Sequence, residues 1–438
     1  MTDNGNPKRP VRTLEVENFS VIKKAKLEFG RITVLIGPQA SGKSLLCKLA
    51  YFLESEIPVI AAGSLFEHST WDEFMETLKR EFASRFVISE QRSPSWVVSY
   101  SSDRYLATVT GSPDGSGLRA EFSFDEFFRD LYASYPLHRK PVAMSRGDVA
   151  VELLLAMGIQ SGRTQIQAGL YIPSGRELFT DTAKMVASLG AGLDEITKRF
   201  AEQIVWDTRW KVGLLTTGRG VVQDIEQEMN RVARGTVAVR DGRPLFLSAD
   251  GRDVPFFALS SGTAELLPML HVLNYAAFQQ EHLKARDASM EEPSLRRSFY
   301  VEEPEAHVFP DTQRELVNLF AWMTNDPILA FDWVITTHSP YILTAFNTLI
   351  EAWRAAKKTG KRDQVAAIVP EHSWIDENDF AAYTIEDGVL KPIFEREAKG
   401  VEGSGLINGD YLDDVSDTIS NQFSRLLEIE FADTTHAG

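Results

Sequence analysis

Residues 37–44, Gly37-Pro-Gln-Ala-Ser-Gly-Lys-Ser44, carry the most specific chemistry in the sequence. Two glycines five positions apart let a loop turn its backbone N–H groups inward, and a lysine and a hydroxyl follow at once. That pattern suits the phosphates of a nucleotide: amides cradle them, Lys43 reaches the β- and γ-phosphates, and Ser44 ligates a magnesium ion. The loop has the flanks it needs. Before it, Ile32-Thr-Val-Leu-Ile36 is a continuous apolar run, as in a strand covered on both faces; after it, Leu45 to Leu53 reads as a helix. An ordinary turn between strand and helix needs neither the second glycine nor the lysine.

Three further groups gain meaning only beside that loop. Glu302 and Glu303 end the apolar strand Phe299-Tyr-Val301 and precede Pro304. An acidic pair at a strand end is ordinarily solvated. Beside a phosphate loop, one carboxylate can see the metal while its neighbour orients the attacking water. His338 ends the strand Val334–Thr337 and precedes Ser339-Pro340. A lone histidine is ordinarily a satisfied core or loop residue, whereas here a neutral imidazole can hydrogen-bond a γ-phosphate and register its presence. Within Leu259-Ser-Ser-Gly-Thr-Ala-Glu265, the residues Ser260, Ser261 and Gly262 open a helix. They are read either as a plain N-cap or as a second phosphate-binding amide cluster.

The elements that must position these groups follow from periodicity. Leu14–Phe19 and Ala25–Phe29 alternate as half-buried strands. Ser69-Thr70 caps an expected helix with an apolar face of Trp71, Phe74, Leu78, Phe82 and Phe86; strands and turns follow over 93–117, then helices over 124–135 and 149–157. From Thr236 the period returns to two, predicting a β-meander to Leu259, a helix over 263–285 and another over 312–323. A last strand pair is expected at Ala366–Val369 and Ala382–Ile385, and a helix near Asp413–Glu430. The expected organisation is an N-terminal part of the core with the phosphate loop (1–53), a mostly helical insertion (54–235), a C-terminal part of the core (236–395) and an acidic tail (396–438). Sustained heptads are missing, so the insertion is read as compact and not as a coiled-coil arm.

Composition excludes several classes. The 438 residues are 43% hydrophobic and 25% charged, so the chain is globular, and its length suggests about two or three domain-sized units. One cysteine, Cys47, allows neither an intrachain disulfide nor a multi-cysteine metal cluster; a reducing, cytoplasmic setting is expected. No apolar run reaches the roughly 18 residues of a membrane span, and the first ten residues lack the apolar core of a signal peptide. A net charge of -16 argues against coating nucleic acid by bulk charge.

The ordered set GPQASGKS, LSSGTAE, FYVEEPEAHVFP and ITTHSPYIL resembles the ABC-type ATPase heads of the SMC, RecF and OLD-like group. The opening LEVENFSVIKKAKLEFGRITVLIGPQASGKS resembles the start of that group too. The resemblance implies an α/β fold with a mixed-sheet core, ATP and Mg²⁺ as ligands, and hydrolysis of ATP to ADP and phosphate. By it, Gly37, Pro38, Gln39, Ala40, Ser41, Gly42, Lys43 and Ser44 bind nucleotide. Ser260, Ser261 and Gly262 form the signature segment that acts on ATP held by a second subunit, in a homodimer or higher homo-oligomer. Glu303 is then the catalytic carboxylate, His338 the switch histidine, and Ser44 and Glu302 the metal side.

The sequence departs from that group in places. Gln39-Ala40 replace Asn-Gly, where only backbone contacts are asked, and Glu302 replaces an aspartate and reaches further by a methylene. Gln91, Gln165 and Gln167 are alternatives for the Q-loop glutamine, and the role of Arg176 in YIPSGRELF is open.

EEPEAHVFP and THSPYIL look like the AAA-type ATPases found beside nucleases in bacterial anti-phage systems. OLD-type chains continue into a TOPRIM nuclease, but the stretch after His338, with Asp413, Asp414 and Asp417, is too short for one. The resemblance therefore implies a separate effector nuclease and a phage-derived trigger as partners, with no membrane. A DNA-repair ATPase of RecF or SMC type is the alternative; a transporter subunit fits less well, given the long stretch between Lys43 and Ser260.

Overall fold

Ile32–Ile36 (β3) is buried along its whole length and sits inside the sheet it predicts. The computed structural model describes residues 12–86, 95–114, 117–134, 165–179, 194–214, 220–240, 243–287, 294–394 and 406–407. In chain order the strands before and after β3 are β1 (Thr13–Phe19), β2 (Ile22–Glu28), β4 (Trp96–Ser101), β5 (Leu106–Asp114), β6 (Gly117–Phe124) and β7 (Gln165–Ile172). They continue with β8 (Gly235–Arg240), β9 (Arg243–Ser248), β10 (Asp253–Pro255), β11 (Ser294–Glu302), β12 (Asp332–Thr337), β13 (Phe380–Glu386) and β14 (Val389–Pro392). Eleven of them form one sheet in the order β6-β5-β4-β1-β2-β14-β13-β3-β12-β11-β7, and β10-β9-β8 form a second, three-stranded one.

The large sheet has two halves. From β6 to β2 every pairing is antiparallel. From β13 through β3, β12 and β11 to β7 every pairing is parallel. Register aligns the carboxyl ends of the parallel half: Ile36 lies opposite Thr337, Thr336 opposite Glu302, and Val301 opposite Ile172. The chain segments leaving β3, β11, β12 and β7 therefore emerge along one edge, where an open α/β sheet offers its binding crevice.

Alternation along the central strands divides the core into two layers. Ile32, Val34, Phe299, Val301, Trp333 and Ile335 face one layer. Leu35, Tyr300 and Val334 face the other. On the second side pack α1 (Lys43–Tyr51), its continuation Phe52–Glu56 as a π-helix, α2 (Ile57–Phe66) and α3 (Trp71–Arg85). Past α4 (Glu126–Ser134), α5 (Glu195–Leu214) and α6 (Val221–Ala233) come α7 (Ser261–Asp287), α8 (Pro310–Asn325) and α9 (Pro340–Thr359). The last three cover the first side through residues such as Leu273, Phe320 and Phe346. Thr70 caps α3 as expected: its hydroxyl accepts from the Glu73 N–H, and Glu73 Oε2 accepts from the Thr70 N–H at 2.7 Å. Phe74, Leu78 and Phe82 form the buried stripe of that helix.

Two expectations change. The stretch 54–235 supplies strands β4–β7 to the main sheet, because Trp96, Val98 and Tyr100 bury one face of β4 against the same core as β1. Ala366–Val369 is no strand. The short helix α10 (Arg362–Ala366) ends there, Ile368 is exposed, and β13 takes its antiparallel partner from β14 instead. The expected helices at 149–157 and 413–430 lie outside the described residues. No described helix is long and apolar enough to cross a membrane.

Candidate nucleotide site

The loop after β3 takes the shape its glycines permit. Gly42 caps α1 at φ 107° and Ala40 is left-handed at φ 60°. A Cβ on Gly37 would meet the Ile385 carbonyl at 3.0 Å, so the loop passes too close to β13 for a side chain. The Lys43 ammonium donates to the Gly37 and Pro38 carbonyls, both at 2.8 Å. Pro38, Gln39, Ala40 and Ser44 are exposed, which leaves the outer rim of the loop and the first turn of α1 facing solvent. Lys43 is buried and its pKa is lowered by desolvation, while Glu303 and Glu305 pull it back up. The loop and the acidic segment thus meet electrostatically.

Glu302 is the last residue of β11 and is buried. Its Oε2 accepts from the Ser174 N–H at 3.3 Å, and its Oε1 is buried with no hydrogen-bond partner among the described residues. Cys47 and Tyr171 sit beside it, both raised well above their ordinary pKa by burial first and then by neighbouring charge. A buried carboxylate oxygen without a donor suits a hard cation. No group of three or more His, Cys, Asp or Glu among the described residues could hold a metal. A magnesium ion here would therefore lean on Ser44, Glu302 and the phosphates of a nucleotide, which is how magnesium is ordinarily held at such sites.

Glu303 adopts a left-handed backbone, φ 43°, unusual for a side chain of its size. Three bonds hold it there. Its N–H donates to the Thr336 carbonyl at 2.9 Å, and its own carbonyl accepts from Ala306 N–H and Arg176 Nη2, both at 3.0 Å. This turn throws the side chain outward, 39% exposed, with Oε1 3.7 Å from His338 Nε2. His338 is itself 36% exposed, so it is not a core histidine.

Glu305 holds the segment on which His338 rides. Its Oε1 accepts from the His338 N–H at 2.6 Å and from the Thr337 hydroxyl at 2.8 Å. Burial raises the Glu305 pKa, these bonds oppose the rise, and Glu303 adds to it. Ser339 then caps α9, its hydroxyl accepting from the Tyr341 N–H at 3.2 Å and donating to Gln313 at 2.5 Å.

The signature candidates open α7. Ser260 is its N-cap: the hydroxyl accepts from the Thr263 N–H at 3.3 Å, as the plainer reading had it, and Ser260 and Ser261 are exposed. Gly262 is there for a close approach, since a Cβ would lie 2.6 Å from the His307 carbonyl. The start of α7 is thereby packed on the loop that follows Glu303.

Arg176, whose role the sequence left open, is fully buried. It donates to the carbonyls of Pro173, Glu302, Glu303 and Glu265, and lies 3.2 Å from Glu265 Oε2. Gln165 and Gln167 pair with Ser294 and Arg296 at the amino ends of β7 and β11, the far end of the sheet from Gly37. Neither is placed as a metal-side glutamine, and Gln91 lies outside the described residues. Sequence reasoning missed Glu305 and Glu265. The signal for Glu305 was the third carboxylate of EEPE; nothing local marked Glu265.

A model of the AAA ATPase domain matches residues 164–343, a span that begins after the phosphate loop and contains Arg176, Ser260, Glu303 and His338. No curated protein matches the chain. Among solved structures it is similar to the SMC head bound to the C-terminal winged-helix domain of ScpA (12% identity, 87% of this chain and 96% of that one, TM-score 0.40). It is also similar to the SMC head domain from Thermotoga maritima (10%, 87% and 98%, TM-score 0.37) and to the recombination mediator RecF with ATP (11%, 89% and 100%, TM-score 0.35). Likenesses this loose carry no argument about what the chain does. The chain has a mixed α/β fold with one large mixed sheet, the Gly37–Ser44 loop follows β3, and residues 164–343 match the AAA ATPase domain.

Proposed function

We propose that the chain binds and hydrolyses ATP, and that Gly37–Ser44 holds the phosphates. The observation that carries this is convergence. The loop after β3, the acid pair at the end of β11 and the histidine after β12 lie along one edge of the parallel sheet, with Glu303 Oε1 3.7 Å from His338 Nε2. Lys43 neutralises the β- and γ-phosphates, and the amide N–H groups at the start of α1 donate hydrogen bonds to their oxygens. Ser44 and Glu302 would hold a magnesium ion, which would supply further positive charge to the phosphates. Glu303 orients a water and takes its proton as the water oxygen attacks the γ-phosphorus, the bond from that phosphorus to the β–γ bridging oxygen breaks and ADP leaves; His338 hydrogen-bonds the γ-phosphate oxygens.

The expected outcome for Glu303→Gln is ATP binding within about threefold of wild type and a turnover number lower by roughly 10²–10⁴. Unchanged turnover removes Glu303 from the role, and a wild-type chain that neither binds nor hydrolyses ATP with magnesium removes the function.

The exposed Ser260 and Ser261 support the reading that α7 offers its N-terminus to nucleotide on a second copy, in a homodimer or larger ring. Mixing Ser260→Arg with Lys43→Ala chains then restores one composite site and part of the turnover. The biological setting we propose is anti-phage defence: a cytoplasmic ATPase controlling a separate TOPRIM-type nuclease in response to a phage product, as in the two-gene PARIS system. EEPEAHVFP and THSPYIL support it. The DNA-repair alternative predicts salt-dependent DNA affinity. Against it stand the net charge of -16 and the pairing of Arg231, Arg234, Arg240 and Arg252 with acidic neighbours.

A further inference from the structure

Arg176 is buried beside the site, and its bonds to Glu302 and Glu303 on one side and to Glu265 on the other join two segments that the ATPase reading assigns separate tasks. The side chain is fully buried. Nη1 donates to the Glu302 carbonyl at 2.6 Å and to the Pro173 carbonyl at 2.9 Å, and Nη2 to the Glu303 carbonyl at 3.0 Å. On the other side Nε donates to the Glu265 carbonyl at 3.2 Å and lies 3.2 Å from Glu265 Oε2, which also accepts from the Arg176 N–H at 3.0 Å. Glu265 is the fifth residue of α7, whose start carries Ser261 and Gly262. Gly262 in turn packs on His307, four residues past Glu303.

We infer that Arg176 is a positioning residue for hydrolysis: through Glu265 it locks the N-terminal part of α7 to the backbone of Glu302 and Glu303, so that the carboxylate of Glu303 takes its place beside the attacking water only when that part of α7 is docked. Glu303 holds a strained backbone at φ 43°, and such a conformation persists only where its surroundings over-determine it. Of the three bonds that fix it, one is local (Ala306) and one comes from the neighbouring strand (Thr336). The third, from Arg176, alone reports on α7. A guanidinium reaches Glu302 and Glu303 from Nη1 and Nη2 and Glu265 from Nε, a spread over three nitrogens that the single nitrogen of an ammonium does not have. A misplacement of about 1 Å at a reacting group costs on the order of 10²-fold in rate.

This inference rests on the ATPase reading, and its test separates the two. Arg176→Lys and Glu265→Gln are made in the full chain, each alone and each with Glu303→Gln, and ATP affinity, turnover and urea unfolding are measured on all. Arg176→Lys is expected to lower kcat by about 10- to 100-fold and Glu265→Gln by about tenfold, with Kd for ATP within about threefold of wild type. Added to Glu303→Gln, neither change slows turnover further, because the carboxylate they position is already gone. A merely structural role would lower stability and affinity together and would multiply with Glu303→Gln; that result, or wild-type kcat in both single variants, overturns the inference. Should Arg176→Lys fail to fold, Glu265→Gln decides on the same readouts. A wild-type chain that binds no ATP overturns the inference and the ATPase reading together, whereas normal turnover in wild type and both variants overturns the inference alone.

Discussion

The Gly37–Ser44 loop and the segments carrying Glu303 and His338 leave the same edge of the sheet but are held in different ways. Lys43 is bonded to carbonyls five and six residues away, and the cap of α1 is the glycine just before it. Glu303 is held from 127 residues away by Arg176, and His338 from 33 away by Glu305. One half of the site is a property of a single run of chain. The other exists only once four segments have docked. Damage to the first should therefore abolish binding outright, and damage to the second should leave binding intact while slowing chemistry.

Lys43→Ala is the strongest test of that contrast. Removing the cation leaves the phosphates without their main counter-charge, and ATP affinity is expected to fall by roughly 100-fold or more. Equilibrium binding of a fluorescent ATP analogue measures it. Since Lys43 is bonded only within its own loop, urea stability should hardly change; a large loss of stability would mean that the loop is not self-contained.

Gly262→Ala probes the docked half. The added methyl group would lie 2.6 Å from the His307 carbonyl, a backbone atom that cannot rotate away, so the loop after Glu303 has to move. We expect turnover to drop by about tenfold with little change in Kd, measured under saturating ATP. Equal losses in kcat and affinity would erase the distinction between the two halves.

The same contrast explains what could be read from the sequence. Strand β3, the loop and α1 were legible because their determinants are contiguous: an apolar run, two glycines, a lysine. Glu302, Glu303 and His338 were legible as positions, since each ends an apolar strand, but their spacing in the fold follows from strand order, which periodicity does not report. Glu265 looked like any polar residue near the start of a helix. Its partner Arg176 is 89 residues away, and a buried ion pair leaves no local pattern. The membership of β4–β7 in the main sheet was hidden for a similar reason, because their alternation says that one face is buried and not against which core.

The smallest expected effect concerns Glu305. Burial raises its pKa above the ordinary value of 4.5, with Glu303 adding to the rise. A carboxyl with a raised folded-state pKa binds its proton more tightly in the folded chain than in the unfolded one. Its contribution to stability is therefore complete below the ordinary carboxylate range and is lost as pH climbs through the raised value. Glu305→Gln keeps an oxygen that accepts from Thr337 and from the His338 N–H but has no proton to lose. Unfolding in urea across pH 4 to 8 should show the wild type losing stability just above the ordinary carboxylate range and the variant losing less there. At neutral pH the two should differ by less than about 1 kcal/mol, the amide being equal or slightly more stable. Identical pH slopes would mean that Glu305 is ionised throughout and that its bonds to Thr337 and His338 outweigh the cost of burial; the switch segment would then be held by a full charge, and Glu305→Gln should loosen His338 enough to slow turnover as Gly262→Ala does.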